Sequence, residues 1–577
     1  MNDSHDNDLD RTMRRQAHES LDAHRRSIER SHIEAALQAA HAPARHSASR
    51  SPGRRRAVAA LAAAAVVALV GALVLVTGGP SDEQVSVAPA SSQIEDVPTT
   101  PGSTSATGTD SSTSVAPREI LVETLAFDVN GDPLVGFDDD DDGVDANRSA
   151  FADVLRDYLI NGSDILGESV AERERQLAAG GLHIHTTLDP NAQAAAESAR
   201  TELPPNSQGI DTAIVSVDTA SGAVRAMIGA PNEQAESSRV NMTVTPRQTG
   251  SAVGYFIIAA AVEAGARADD QIDARRGCRF PSETPGEPDF VINGGVAGFV
   301  GTIRDVAARG VLCGTARLSH IVGLDNVIDT TYRMAASPYL DPADSTLDRP
   351  RLEPFPSLAA GANEMSALDM ASGLQTLANE GIHHDPYFVE YIDDADGNRL
   401  YTHRPDGRRE LERDTSLETI DILKSVLLYG TGRRHALDDD RPAFGITGTQ
   451  PDNTNAWFVG ATPQLTTAVW VGDPDAYTPM IAIPEFEAEG IPRVQGGTYP
   501  AQIWKAFTDN TLNATPPIDW VDPPPPARPN ARLVLPGVEC RPVDPTNDPS
   551  PTNTPQEIAP EEPITTVDVS SAIVPCD

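Results

Sequence analysis

Residues 57–77, AVAALAAAAVVALVGALVLVT, run for 21 positions without a charge, and nothing else in the 577-residue chain restricts the available folds as strongly. At about 1.5 Å per helical residue the run spans a bilayer core of roughly 30 Å, so it is expected as a single membrane helix. Arg54, Arg55 and Arg56 stand directly before it, and Asp82 and Glu83 follow it. The positive-inside rule then places residues 1–56 in the cytoplasm and everything after Thr77 outside. A cleaved signal peptide is the rival reading, but the run is long for one and Ala88-Pro89-Ala90 is a weak cleavage site.

Composition divides the rest. Residues 1–56 are rich in Arg and His, with helix formers over 11–40, and read as a solvated juxtamembrane segment, with a partner-binding helix as the alternative. Residues 78–117, full of Ser, Thr, Pro and Gly, form a flexible linker. Residues 118–179 read as a partly folded connector: 120–129 alternates like a strand and 151–165 like a helix. Beyond them composition argues for one large folded unit followed by a Pro-rich tail.

The formal charge of −40, from 44 basic and 84 acidic residues, argues against nucleic acid or anionic lipid as a partner of the outer portion. Asp138 to Asp142 suggest a calcium loop, but the twelfth position that needs Glu is Ser149, so a solvated acidic loop is expected. His183 and His185 alternate as pleat residues do and no third ligand accompanies them, so no metal site is read. Four cysteines in an exported region suggest disulfides, with Cys278–Cys313 and Cys540–Cys576 the preferred pairing of three and free buried thiols the alternative.

Three windows carry chemistry. Gln248-Thr-Gly-Ser-Ala-Val-Gly254 opens an apolar run, Tyr255 to Val262, that reads as a buried helix. A Gly-Ser there is on its own a common helix N-cap. Residues 302–325 form one helical pattern, and 443–472 read as two β-branched and aromatic strands joined by a polar loop.

In this order, and with GGLHIHTTLDPNAQAAAESA at 180–199, AIVSVDTASGAVRAMIGA at 213–230, the segment 356–381, YGTGRR at 429–434 and GGTYPAQIWKAF at 496–507, the chain resembles the transpeptidase domain of class A penicillin-binding proteins. The resemblance covers 180–512. It implies an α/β (α+β) fold of the penicillin-binding-protein/β-lactamase type, an antiparallel sheet flanked by helices, here beyond one N-terminal membrane helix. It brings no cofactor. Helix 151–165 resembles the connector that precedes this domain. Residues 78–179 show no Glu-Asp-x-x-Phe motif of the glycosyltransferase domain expected there.

The family's Ser-x-x-Lys falls on Ser251 to Gly254, leaving the nucleophile position and losing the lysine. Its Ser-x-Asn falls on Gly310, Val311 and Leu312, and its Lys-Thr-Gly on Ile446, Thr447 and Gly448, followed by Thr449. In the mechanism that the resemblance implies, the serine attacks a D-Ala-D-Ala carbonyl with the first lysine as base. The second motif relays a proton and holds the substrate amide, and the third supplies positive charge. The oxyanion hole maps to backbone amides of Ser251 and Thr449, which survive side-chain change, with Thr447, Gly448 and Thr449 as the substrate-binding edge. The chain has only two lysines, Lys424 and Lys505, neither in a motif.

Three functions follow from the resemblance. The first is a pseudoenzyme of cell-wall metabolism on the outer face of the membrane, binding peptidoglycan, its stem peptide or cell-wall synthases as scaffold or regulator. The second is a D,D-transpeptidase or carboxypeptidase that uses Ser251 with an unrecognised base, with a β-lactam as inhibitor. The third is a muropeptide or β-lactam sensor.

Overall fold

A computed structural model describes residues 124–134, 149–229, 240–280, 289–293, 295–296, 298–341, 351–405, 407–525 and 533–534. They all fall in the second of two compact units, 114–577. The 57–77 run, the cytoplasmic segment, the linker, the aspartate run, Cys540 and Cys576 lie outside the described residues. Among the described residues no helix is long and apolar enough to cross a membrane.

The elements alternate through the chain: β1 (Leu125–Phe127), α1 (Ala150–Asp157), α2 (Val170–Ala179), β2 (Leu182–Thr186), α3 (Pro190–Arg200), β3 (Asp211–Asp218) and β4 (Val224–Ile228). Then come a 3-10 turn, Gly250–Val253, and α4 (Gly254–Glu263). The short strands β5 (Gln271–Asp273), β6 (Cys278–Phe280), β7 (Phe290–Ile292) and β8 (Val300–Thr302) lead to α5 (Ile303–Arg309), α6 (Leu312–Val322) and α7 (Leu324–Ala335). The principal elements that follow are α8 (Ala367–Ala378), β9 (Val389–Asp394), β10 (Arg399–Thr402), α9 (Arg413–Leu428), β11 (Phe444–Thr449), β12 (Asn455–Ala461), β13 (Leu465–Gly472), α10 (Tyr499–Leu512) and β14 (Leu533–Val534).

The centre is a five-stranded antiparallel sheet in the order β11-β12-β13-β3-β4. Both faces are covered, so its strands read as continuous apolar runs, and successive residues still go to opposite layers. Val215, Trp457 and Trp470 join the layer of α4 and α8, while Ile214, Phe458 and Val469 join that of α3 and α10. Burying a side chain such as Phe458 or Val469 contributes about 1.5–3 kcal/mol. All of α8 is buried, and Ser366 starts it with a capping box in which Ser366 and Asp369 each bond the other's backbone N–H.

Three sequence expectations change. The region 443–472 makes three strands, because the 3-10 turn Pro451–Asn453 reverses the chain early. The single helix over 302–325 is interrupted: Gly310 adopts φ 62, ψ 44 and ends α5, and α6 restarts at Leu312. Helix 151–165 ends sooner, passing from α1 into a π-turn that stops at Gly162. Ser149 has a structural role there, accepting the Ala152 N–H as N-cap of α1. His185 lies between the rings of Phe127 and Tyr391, 5.0 and 4.2 Å away, so its pleat position serves an aromatic stack.

Candidate active-site cleft

Ser251 lies in the 3-10 turn rather than at a helix N-cap, and its side chain caps nothing. The turn is pressed against β11, the edge strand of the central sheet, and two glycines permit the approach. Gly250 has φ +56, and a Cβ on it would sit 2.7 Å from the Thr449 backbone. A Cβ on Gly448 would sit 2.3 Å from the Thr249 carbonyl oxygen. Only glycine accepts such a contact.

The sheet register aims β11 at the turn. Gln450 N–H donates to the Asn455 carbonyl, and along an antiparallel ladder such bonded pairs alternate with unbonded ones. Thr447 and Thr449, opposite Phe458 and Ala456, occupy the unbonded positions and direct their N–H and C=O away from β12. Accordingly the Ser251 hydroxyl donates to the Thr447 carbonyl at 3.3 Å. The Thr447 hydroxyl meets that of Thr431 at 2.8 Å, and the Thr449 hydroxyl accepts the Gly496 N–H at 3.1 Å.

These residues line a cleft of about 790 Å³ that also includes Gly310 and Leu312. Ser251, Gly310, Leu312, Thr447 and Thr449, separated in sequence, therefore meet in one place. Gly254 and Ile446 do not line it. They face each other beneath, where a Cβ on Gly254 would be 3.1 Å from Ile446 Cδ1 and 3.6 Å from Thr315 Cγ2. The isoleucine is buried, and its side chain takes up the room in front of the glycine.

Neither lysine comes near. Lys424 pairs with Asp519 at 2.8 Å and lies 5.5 Å from the Trp520 ring, while Lys505 is held by Asp438 and Asp509. Among the described residues neither lysine nor histidine lines the cleft, whose charged members are Arg309, Arg433, Arg434 and Asp452. Guanidinium stays protonated and is no base. His435, next to Arg434, is pushed below its ordinary pKa by burial and turns to the Gly497 backbone.

The other wall is the hairpin β6–β7, contributing Phe290, Val291 and Ile292, with Asn293 beyond it. A disulfide joins Cys278 on β6 to Cys313 on α6, one residue past Leu312, with Cα atoms 5.9 Å apart. The pairing is one the sequence suggested, and it clamps the hairpin to the helix that carries Leu312. With the cysteines 35 positions apart in sequence, loop-closure entropy assigns the bond about 4 kcal/mol. Cys278→Ser is expected to lower unfolding free energy by about 2–4 kcal/mol, measured by urea titration. An unchanged midpoint would mean that the hairpin is held without the bond.

Sequence reasoning passed over Arg309, Arg433 and Arg434. The last two stand in the quoted YGTGRR segment, where the Gly430 and Thr431 backbones pack on the Ala308 carbonyl and so bring that turn to the end of α5. Arg309 has no comparable signal, because its arrival at the cleft depends on the break at Gly310.

The fold is a mixed α/β domain with an antiparallel sheet, and its cleft places Ser251, within the 3-10 turn, against a sheet edge. Residues 337–478 match the family model of the penicillin binding protein transpeptidase domain. The match includes Ile446 to Thr449 and stops short of Ser251, Gly254, Gly310 and Leu312. Penicillin-binding protein 1A of Mycolicibacterium smegmatis is 28% identical over 372 residues, 59% of this chain and 43% of the relative. Penicillin-binding protein 1A of Mycobacterium tuberculosis is 28% identical over 370 residues, covering 59% of this chain and 41% of its own. The chain thus spans about two fifths of the curated relatives it matches. Among solved structures, PonA1 from Mycobacterium tuberculosis in complex with penicillin V aligns with TM-score 0.52 and 27% identity, over 61% of this chain and 91% of that one.

Proposed function

We propose that this protein is a membrane-anchored, penicillin-binding-protein-like component of peptidoglycan metabolism, with its folded part outside the cell. The transpeptidase fold serves as a binding scaffold or regulator and not as an efficient catalyst. The organisation follows the sequence: residues 1–56 cytoplasmic, 57–77 the membrane helix, 78–117 linker, 118–179 connector, 180–512 the transpeptidase-like domain and 513–577 the tail. Peptidoglycan stem peptide, and through it cell-wall synthases, are the partners that the cleft suits.

The observation that supports this reading is the packing of Gly254 against Ile446. A serine acyl transfer needs a group to take the hydroxyl proton, and both mapped lysine positions hold residues that pack together without charge. In hydrolases with comparable triads, loss of the base costs about 10⁴–10⁶ in turnover. Ser251, Thr447, Gly448 and Thr449 keep the shape of a substrate edge, so ligand binding outlasts the chemistry.

A second reading, slow acylation of Ser251, needs a base from outside the cleft lining, and His435, the neighbour in sequence of the lining residue Arg434, is the histidine to test. Incubation of the full chain with a stem pentapeptide ending in D-Ala-D-Ala, followed by D-alanine assay, separates the two. Scaffold function requires release no faster than the Ser251→Ala background. Release that disappears in both Ser251→Ala and His435→Gln establishes the enzyme instead.

A further inference from the structure

We propose that the cleft is a docking site for an acidic segment of this chain's own tail, residues 544–568. This rests on reading the cleft as a binding surface. Arg309, Arg433 and Arg434 are exposed and have no carboxylate partner among the described residues, although all three line the cleft. Elsewhere in the domain arginines such as Arg200, Arg333 and Arg413 sit on carboxylates, as a chain of net charge −40 readily allows. Three guanidinium groups without a carboxylate around one cavity, Arg309 resting over the Phe299 ring at 4.8 Å and Asp452 the one acid among the described lining residues, make it a receptor for anions.

Residues 544–568 carry six carboxylates and no basic side chain, and Glu561-Glu562 are adjacent, as Arg433-Arg434 are. The origin of the segment is fixed close by. β14 pairs in parallel with β5, β5 pairs with β8, and β8 runs directly into α5, which ends at Arg309. That helix is about 10 Å long, and the ten residues from Val534 to Asp544 reach about 35 Å when extended. Proline recurs through the segment, which lowers the entropy cost of docking, and Ile558 and Ile564 supply apolar groups to match the Phe290 and Val296 side of the cleft. A tether of this length holds the segment at about millimolar effective concentration, so contacts too weak for a free peptide suffice.

Hydrogen–deuterium exchange on the full chain tests this. In the wild type, amides of 544–568 should exchange about tenfold more slowly than a free peptide of that sequence. Arg433→Glu with Arg434→Glu should return them to the free-peptide rate, and adding Glu561→Arg with Glu562→Arg should restore protection. Unchanged tryptophan fluorescence checks that the charge reversals leave the domain folded, and Arg309→Glu alone provides a second, independent loss of protection. Free-peptide rates in the wild type, or protection indifferent to these arginines, overturn the docking. D-alanine release by Ser251 would overturn the scaffold reading while leaving the exchange pattern intact, so the two failures are separable.

Discussion

Gly254→Lys, which puts a lysine where the resemblance maps one, is expected to destabilise the domain by about 3–5 kcal/mol and to bring no acylation. The first added atom, Cβ, already lies 3.1 Å from Ile446 Cδ1 and 3.6 Å from Thr315 Cγ2. The rest of the side chain then has to displace Ile446, which is only 6% exposed, and leave an ammonium among apolar groups without a carboxylate. Combining Gly254→Lys with Ile446→Ala should recover about 1–2 kcal/mol of that loss, since the two positions compete for one space. Urea unfolding of the single and double variants provides the measurement. A Gly254→Lys variant as stable as the wild type would show that the isoleucine does not fill the lysine's place.

Gly448→Ala is expected to cost about 3 kcal/mol and to part β11 from the turn carrying Ser251. The new methyl would stand 2.3 Å from the Thr249 carbonyl oxygen, 2.6 Å from Ala252 Cβ and 2.8 Å from Ala252 N, mostly backbone that cannot rotate aside. Gly209→Ala is the matching control: its φ of +73 makes alanine strained, but no atom lies within 4 Å, so about 1 kcal/mol is expected. Trp457 reports the difference, since its indole N–H donates to the Gln248 carbonyl at 2.9 Å, on the chain entering the turn. A shifted emission in Gly448→Ala and not in Gly209→Ala is the expected signature. Equal losses in both would remove the close approach as the explanation for Gly448.

Much of this architecture is legible in the sequence because it depends on local patterns. The runs in β3 and β13 announce buried strands, and the order of the segments that carry the resemblance brings Ser251, Gly310, Leu312, Thr447 and Thr449 to one cleft. What escaped depends on geometry between distant residues. The helix period continues across Gly310, so apolar spacing alone gave one helix where a left-handed residue makes two. Ser251 looked like an N-cap because Gly-Ser precedes an apolar run, but the packing of Gly250 on Thr449 tightens the chain into a 3-10 turn. The contact between Gly254 and Ile446 has no local signal, since each substitution is intelligible only beside the other. The gathering of Arg309, Arg433 and Arg434 likewise requires the break after α5 and the Gly430–Thr431 contact with Ala308.

The most direct measurement is covalent labelling of the full chain with a fluorescent penicillin, read by intact mass beside Ser251→Ala. A strained β-lactam is the most reactive acyl donor such a cleft meets, so it gives Ser251 its best chance. A cleft without a base is expected to give no serine-dependent adduct after hours, while circular dichroism shows the protein folded. A single adduct that forms within minutes and vanishes in Ser251→Ala would contradict it, because the hydroxyl proton would then have a taker in this cleft.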